Sequence, residues 1–162
     1  MPYRIEHSVT VDAPIEFVWD IIQNPDLRTS WDARVTSARF LDPAAPFGKG
    51  KQMEVVIDLG AFPIVSQLEY LSWKPPYRSS MRTINRDAFR SATTGSWQLA
   101  EEHSGRTTWT TKLVFSAALP LVGPFIERWF GGYFDKLTKQ SQQQFKTFVE
   151  AEWKAQRVLI TA

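Results

Sequence analysis

The chain has 162 residues, enough for one domain around one core. It has no cysteine, which excludes disulfides, a thiol nucleophile and thiolate metal sites and fits a reducing compartment. Nineteen Lys and Arg against seventeen Asp and Glu leave a formal charge of +2, and the basic residues form no cluster, so nucleic acid is not an expected partner.

Met1-Pro2-Tyr3-Arg4-Ile5-Glu6 carries no apolar h-region, so no signal peptide is expected. The longest apolar run, near Ala117 to Ile126, is too short to span a bilayer and contains Pro120, Gly123 and Pro124. A soluble, cytoplasmic protein is expected. Aromatic residues make up 14% of the chain, seven of them Trp, which points to large apolar surfaces facing one another.

Tyr3 to Val11 alternates cleanly. Tyr3, Ile5, His7, Val9 and Val11 share one face, so a half-buried strand is predicted. Asp12-Ala13-Pro14-Ile15-Glu16 reads as a helix start with Asp12 as its cap, and Phe17, Val18, Ile21 and Ile22 give the short helix its stripe. Asn24-Pro25-Asp26 ends it and opens a second short helix towards Trp31. Asp32 reads as a surface or capping carboxylate.

Ala33 to Leu41 is a strand of weak pattern, and Asp42 to Gly50 is loop. Met53, Val55, Ile57 and Leu59 mark the next strand. After a turn at Gly60 to Pro63, Ile64, Ser66, Leu68, Tyr70 and Ser72 share a face of another. Lys74-Pro75-Pro76 stops it, since proline cannot donate to a ladder. Tyr77 to Ile84, Ala88 to Glu101 and Arg106 to Ser116 are three further strands, linked by hairpins at Asn85 to Asp87 and Glu102 to Gly105. Gly95 inside a strand suggests a bulge or a close approach by another backbone.

From Pro124 to about Trp153 apolar residues recur in steps of three and four: Phe125, Ile126, Trp129, Phe130, Tyr133, Phe134 and Leu137, then Phe145, Phe148 and Val149. Roughly thirty helical residues make a rod of about 45 Å, which must lie across a sheet to bury its stripe. Lys139 to Gln144 is polar nearly all round. Gly131-Gly132 marks either a close approach or bend, or a local weakness.

The order is strand, two short helices, six strands, long helix. Short links make an antiparallel meander, and the helices must cover one of its faces, giving an α+β layer fold with a curved sheet gripping a long helix.

Val9-Thr10-Val11-Asp12-Ala13-Pro14-Ile15-Glu16-Phe17-Val18-Trp19, followed by Asn24-Pro25-Asp26 and Trp31, resembles the opening of the START-like (SRPBCC) superfamily. Gly95-Ser96-Trp97-Gln98-Leu99 and Gly105-Arg106-Thr107-Thr108-Trp109 resemble its penultimate hairpin, and the long C-terminal helix extends the match over nearly the whole chain. This superfamily includes the birch-pollen-allergen (Bet v 1-like) fold and the polyketide cyclase/dehydrase and lipid-transport proteins. The resemblance implies a helix-grip fold of about seven strands with an apolar cavity between sheet and long helix. It also implies a ligand such as a lipid, sterol, polyketide or plant hormone. Some members are aromatase/cyclases and others activate a heat-shock ATPase, and fold alone does not choose among these.

Residues on the more apolar parity of each strand form the expected cavity wall. The expected ligand-binding set is Ile57, Leu59, Ser66, Leu68, Tyr70, Met81, Thr93, Trp97 and Trp109 from the sheet, with Phe125, Trp129, Phe130 and Tyr133 from the long helix. Ser79, Thr83, Ser91, Thr107 and Thr111 share the inward parity. An apolar wall with scattered hydroxyls suits an amphiphilic small molecule, since burial supplies affinity and hydroxyls set orientation. His7 lies on the apolar face of the first strand, either as a group for a ligand oxygen or as a packed histidine satisfied by its neighbours. His103 reads as part of a solvated turn. Alternation turns Arg78 and Arg82 to solvent.

No catalytic triad, phosphate-cradling loop or metal motif is present, so no catalytic residue, metal or cofactor is assigned. The link Leu119 to Phe125 is a portal lid, a segment making transient contact with a membrane surface, or an ordinary buried connection. Three functions remain open: carrier or sensor of a small hydrophobic ligand, aromatase/cyclase-type enzyme, and chaperone-activator-type interaction module.

Overall fold

A computed structural model describes residues 2–58, 60, 63–85, 91–103, 105–117 and 121–162, apart from the side chain at position 91. The elements are β1 (Tyr3–Val11), α1 (Ile15–Gln23), a 3-10 turn (Pro25–Leu27), α2 (Arg28–Trp31), β2 (Val35–Phe40), β3 (Gln52–Asp58), β4 (Pro63–Lys74), β5 (Arg78–Thr83), β6 (Ser91–His103), β7 (Arg106–Ala117) and α3 (Gly123–Thr161). Leu59, parts of the expected turn at Gly60 to Pro63 and of the expected hairpin at Asn85 to Asp87, the start of the strand expected from Ala88, and the Leu119 end of the expected link lie outside the described set.

The seven strands form one antiparallel sheet in the order β1-β7-β6-β5-β4-β3-β2. Register shifts at Val35/Ser37, Tyr70/Ser72 and Glu101/His103 bend individual strands and help to curve the sheet. β1 and β2 are its two edges, so α1 and α2 carry the chain from one edge to the other. The result is the helix-grip arrangement, with α3 packed chiefly on β1 and β7.

α1 starts without a side-chain cap. Pro14 occupies the N-cap, and the Asp12 carboxylate instead faces Arg106 Nε at 3.4 Å while its backbone N–H donates to Glu150 of α3 at 2.9 Å. Pro14 stays in extended conformation just outside the first turn, and its carbonyl accepts the first helical bond, from the Val18 N–H at 3.1 Å. Asn24 does cap, accepting from the Asp26 N–H at 3.0 Å.

α3 spans 39 residues, about 58 Å, and outruns the expected end at Trp153. Residues 154–162 are exposed, which is why no apolar periodicity marks them. Once a helix is nucleated, each further residue adds a hydrogen bond and needs no tertiary contact. The polar stretch inside α3 is not a solvated belt. Thr138, Ser141 and Gln142 are buried there, and Gln142 Nε2 donates to the His7 carbonyl at 3.0 Å.

The interior has a solid end and an open end. At the solid end Trp31, Trp109 and Phe145 meet with ring centroids 4.5–5.5 Å apart, all at 1% exposure or less. At the other end Phe115, Phe130 and Phe134 stack in a row, 4.9 and 5.6 Å apart.

The two glycines of α3 differ. A Cβ on Gly131 would sit 2.3 Å from Cγ of Tyr3, so β1 approaches the helix there as closely as glycine allows, whereas Gly132 has nothing within 4 Å. At Gly95 the close neighbour is a side chain rather than the expected backbone, with Leu113 Cδ2 at 2.9 Å from its virtual Cβ, and the register runs through it without a bulge. Gly132→Ala should therefore raise stability by up to about 1 kcal/mol. Gly131→Ala should lower it by about 1–3 kcal/mol through overpacking. Urea titrations of the two variants give opposite shifts in midpoint if this packing is right.

Candidate functional site

A cavity of about 110 Å³ lies between the concave face and α3. It exceeds the roughly 10–15 Å³ that admits one water and falls below the about 300–1,000 Å³ of pockets for drug-sized ligands. Its wall follows the strand alternation: Met53, Val55 and Ile57 from β3, Ile64, Ser66 and Leu68 from β4, Ser79, Met81 and Thr83 from β5, Thr93, Gly95 and Trp97 from β6, Leu113 and Phe115 from β7. Ile5 of β1 and Phe130 and Phe134 of α3 complete the apolar part.

The structure brings together Ile57, Ser66, Leu68, Met81, Thr93, Trp97 and Phe130 of the expected set. The other described members lie off the lining. Tyr70 and Trp109 have the inward parity but are packed at 1% exposure, Tyr70 donating its hydroxyl to Gln23 Oε1 at 2.9 Å and Trp109 sitting in the Trp31–Phe145 cluster. α1 and α2 fill the concave face at that end, so inward parity there means core. His7 is half-buried and bonded through Nε2 to Asp135 Oδ1 at 2.8 Å. Phe125, Trp129 and Tyr133 are 74%, 68% and 42% exposed. They form a row turned about 100° from the inner row of Ile126, Phe130 and Phe134, and an all-round aromatic stretch does not fix that phase. Leu59 lies outside the described residues. Arg78 and Arg82 face solvent, as alternation predicts.

One end of the cavity is cationic, and the sequence reading missed it. Arg28 of α2 and Arg34, just before β2, are the charged ones among the described lining residues. Asp32 lies behind them with its side chain fully buried. Its Oδ1 accepts from Arg34 Nε at 2.7 Å, from the Arg34 backbone N–H at 3.2 Å and from Ser141 Oγ at 2.9 Å. Its Oδ2 accepts from Arg28 Nε and Arg34 Nη2, both at 2.8 Å. Arg34 Nη1 donates to Thr138 Oγ1 at 2.9 Å. The Arg28 guanidinium carbon lies 4.6 Å from the Trp31 ring centre and 4.8 Å from that of Trp97.

Burial alone would raise the Asp32 carboxyl pKa. Arg34 and Arg28 outweigh it and, with the hydrogen bonds from Arg34 and Ser141, hold the group well below the usual carboxylate range. Burial lowers the Arg28 guanidinium, against the opposing pull of Asp32. Burial also pushes the Tyr70 phenol up, so it is a neutral donor committed to Gln23, whose Nε2 in turn donates to Ser79 Oγ at 2.9 Å.

Asp32 is thus not a surface group: it closes α2 as its C-cap residue, and its carboxylate is buried between the two arginines. Two signals pointed to it. Arg28 and Asp32 stand four apart on a short helix, and Ser141 and Thr138 fall on the inner face of a long helix, where a buried hydroxyl needs a partner.

A family model for polyketide cyclase / dehydrase and lipid transport matches residues 2–146. The chain belongs to the polyketide cyclase / dehydrase and lipid transport family. Solved structures similar to this member include TTHA0849 from Thermus thermophilus, with a TM-score of 0.75 at 14% identity over 92% of this chain and 98% of that one. The Zhui aromatase/cyclase from Streptomyces sp. R1128 superposes with a TM-score of 0.74 at 14% identity over 95% and 94%. A START superfamily protein from Mycobacterium smegmatis gives 0.68 at 13% identity over 94% and 98%. At these identities the likeness concerns the fold alone. No curated protein matches the chain significantly.

Asp32→Asn should cost about 3–5 kcal/mol of stability, because two buried guanidiniums lose their counter-charge. Denaturant unfolding measures it. The folded carboxyl titrates below the unfolded value of about 3.9, so this stabilisation is complete above that pH and fades as pH falls towards the folded value.

Proposed function

We propose that this family member binds a small hydrophobic or amphiphilic ligand, such as a lipid or polyketide, in the cavity, as a cytoplasmic carrier or sensor. The supporting observation is an internal space walled by apolar residues of β3 to β7 and α3, with hydroxyls at Ser66, Ser79, Thr83 and Thr93. The small volume suits a slim chain or a small ring, and repacking of the wall would be needed for more. Open internal space supports this reading over a chaperone-activator-type interaction module. The guanidiniums of Arg28 and Arg34 favour a second reading, an aromatase/cyclase-type enzyme, since a cation in the cavity can polarise a ketide carbonyl.

Native mass spectrometry of freshly purified protein should show a co-purifying small organic molecule, or uptake of an environment-sensitive apolar dye after solvent extraction. Leu68→Trp, which puts a larger ring into the wall, should reduce dye uptake at least several-fold. A protein that takes up nothing in either assay does not carry a ligand here.

We further propose transient contact with an anionic membrane surface through the outer face of α3. Leu121 is 99% exposed in a left-handed conformation at φ 67°, and Phe125, Trp129 and Tyr133 follow at four-residue steps. Arg128, Lys136 and Lys139 are exposed beside them. The neighbouring acids are turned away, Glu127 to the Ala117 N–H at 3.0 Å and Asp135 to His7. Trp and Tyr favour the headgroup level, and cations favour anionic lipid. Phosphatidylcholine vesicles containing phosphatidylglycerol should float the protein, pure phosphatidylcholine vesicles much less, and Phe125→Ser with Trp129→Ser should abolish flotation. Equal recovery with and without the double substitution would assign the stripe another role.

A further inference from the structure

We infer that the ligand carries a carboxylate head, which pairs with Arg28 while its apolar part lies along β3 to β6; this rests on the cavity-binding reading above.

Two lining guanidiniums face one carboxylate, so the cluster holds one net positive charge, and among the described residues no acidic one stands on the cavity lining to offset it. The surplus has a definite place. Both Asp32 oxygens are saturated by the contacts to Arg28, Arg34 and Ser141. Arg34 spends Nε and Nη2 on Asp32 and Nη1 on Thr138. Arg28 directs Nε and Nη2 to the same Asp32 oxygen, both at 2.8 Å, and its Nη1 has no hydrogen-bond partner among the described residues. That guanidinium is 7% exposed and flanked by Trp31 and Trp97. Arg28 Nη1 is not among the sealed, unpartnered buried atoms, so it stays open to an incoming acceptor, and an ionised acceptor gives the stronger, shorter bond.

The chemistry narrows the head further. One surplus charge matches a monoanion, whereas a dianionic phosphate would overcompensate it and leave its own charge buried. Ser66, Leu68 and Met81 continue the wall away from the arginines, so the molecule that fits is polar at one end and apolar along the rest.

The test compares octanoate with octanol on the purified full chain at neutral pH, each displacing a bound environment-sensitive dye. The two share an apolar tail and differ in the head. Octanoate should bind about ten-fold or more tighter. Arg28→Met should bring the ratio of the two affinities to about one, while the surface variant Arg82→Met should keep it. The wild-type ratio alone decides the matter if the Arg28 variant folds poorly. Octanol binding as tightly as octanoate, or a ratio that survives Arg28→Met in folded protein, overturns the anionic head and leaves the cavity reading standing. Failure of both ligands and of the dye to bind overturns the cavity reading and this inference with it.

Discussion

The Asp32 carboxylate ties three parts of the chain to one point. Arg28 belongs to α2, Arg34 leads into β2 and Ser141 sits midway along α3. Through Arg34 the network reaches Thr138 as well, so two consecutive inner turns of α3 are held against the start of the sheet. Such a buried ionic cluster does not make the protein more stable than an apolar core of the same shape would. It specifies which face of α3 turns inward, something an aromatic-rich helix leaves ambiguous. It also keeps a guanidinium on the wall of a space otherwise lined by apolar side chains and a few hydroxyls.

The interior is uneven for a related reason. Where α1 and α2 cross the concave face, Trp31 and Trp109 fill the gap with Phe145. Beyond the arginines, among the described residues, α3 is the helix that covers the sheet, and side chains of moderate size on β3 to β5 line the space below Phe130 and Phe134. The empty space is what remains when two short helices cap half of a curved sheet. Its position is thus set by chain length between β1 and β2 as much as by the side chains lining it.

The strands were legible because period-two alternation is local. The inward parity of Met53, Val55 and Ile57, of Ser66 and Leu68, and of Thr93 and Trp97 carries straight into the cavity wall. α3 was legible as a helix but not in phase, since Phe125 and Trp129 look as apolar as Ile126 and Phe130 and only the sheet distinguishes them. Tyr70 and Trp109 show the limit of parity, which says which side of a sheet a residue faces and not what covers it. Asp32 was the largest miss. A lone acidic residue beside a tryptophan looks like a surface group until residues 109 positions away in sequence are placed next to it.

The pairing of β1 with β7 has a cost during synthesis. Thr10 and Thr108 bond across the ladder although 98 positions separate them. A ribosome adding about 5–20 residues each second leaves the first strand without its neighbour for roughly 5–20 s. For that interval Ile5, Val9 and Val11 lie bare on an unmatched edge, the condition in which nascent chains stick to one another. Arg4 and Glu6 stand exposed on the opposite side of the same strand, and charged side chains of this kind oppose edge-to-edge pairing.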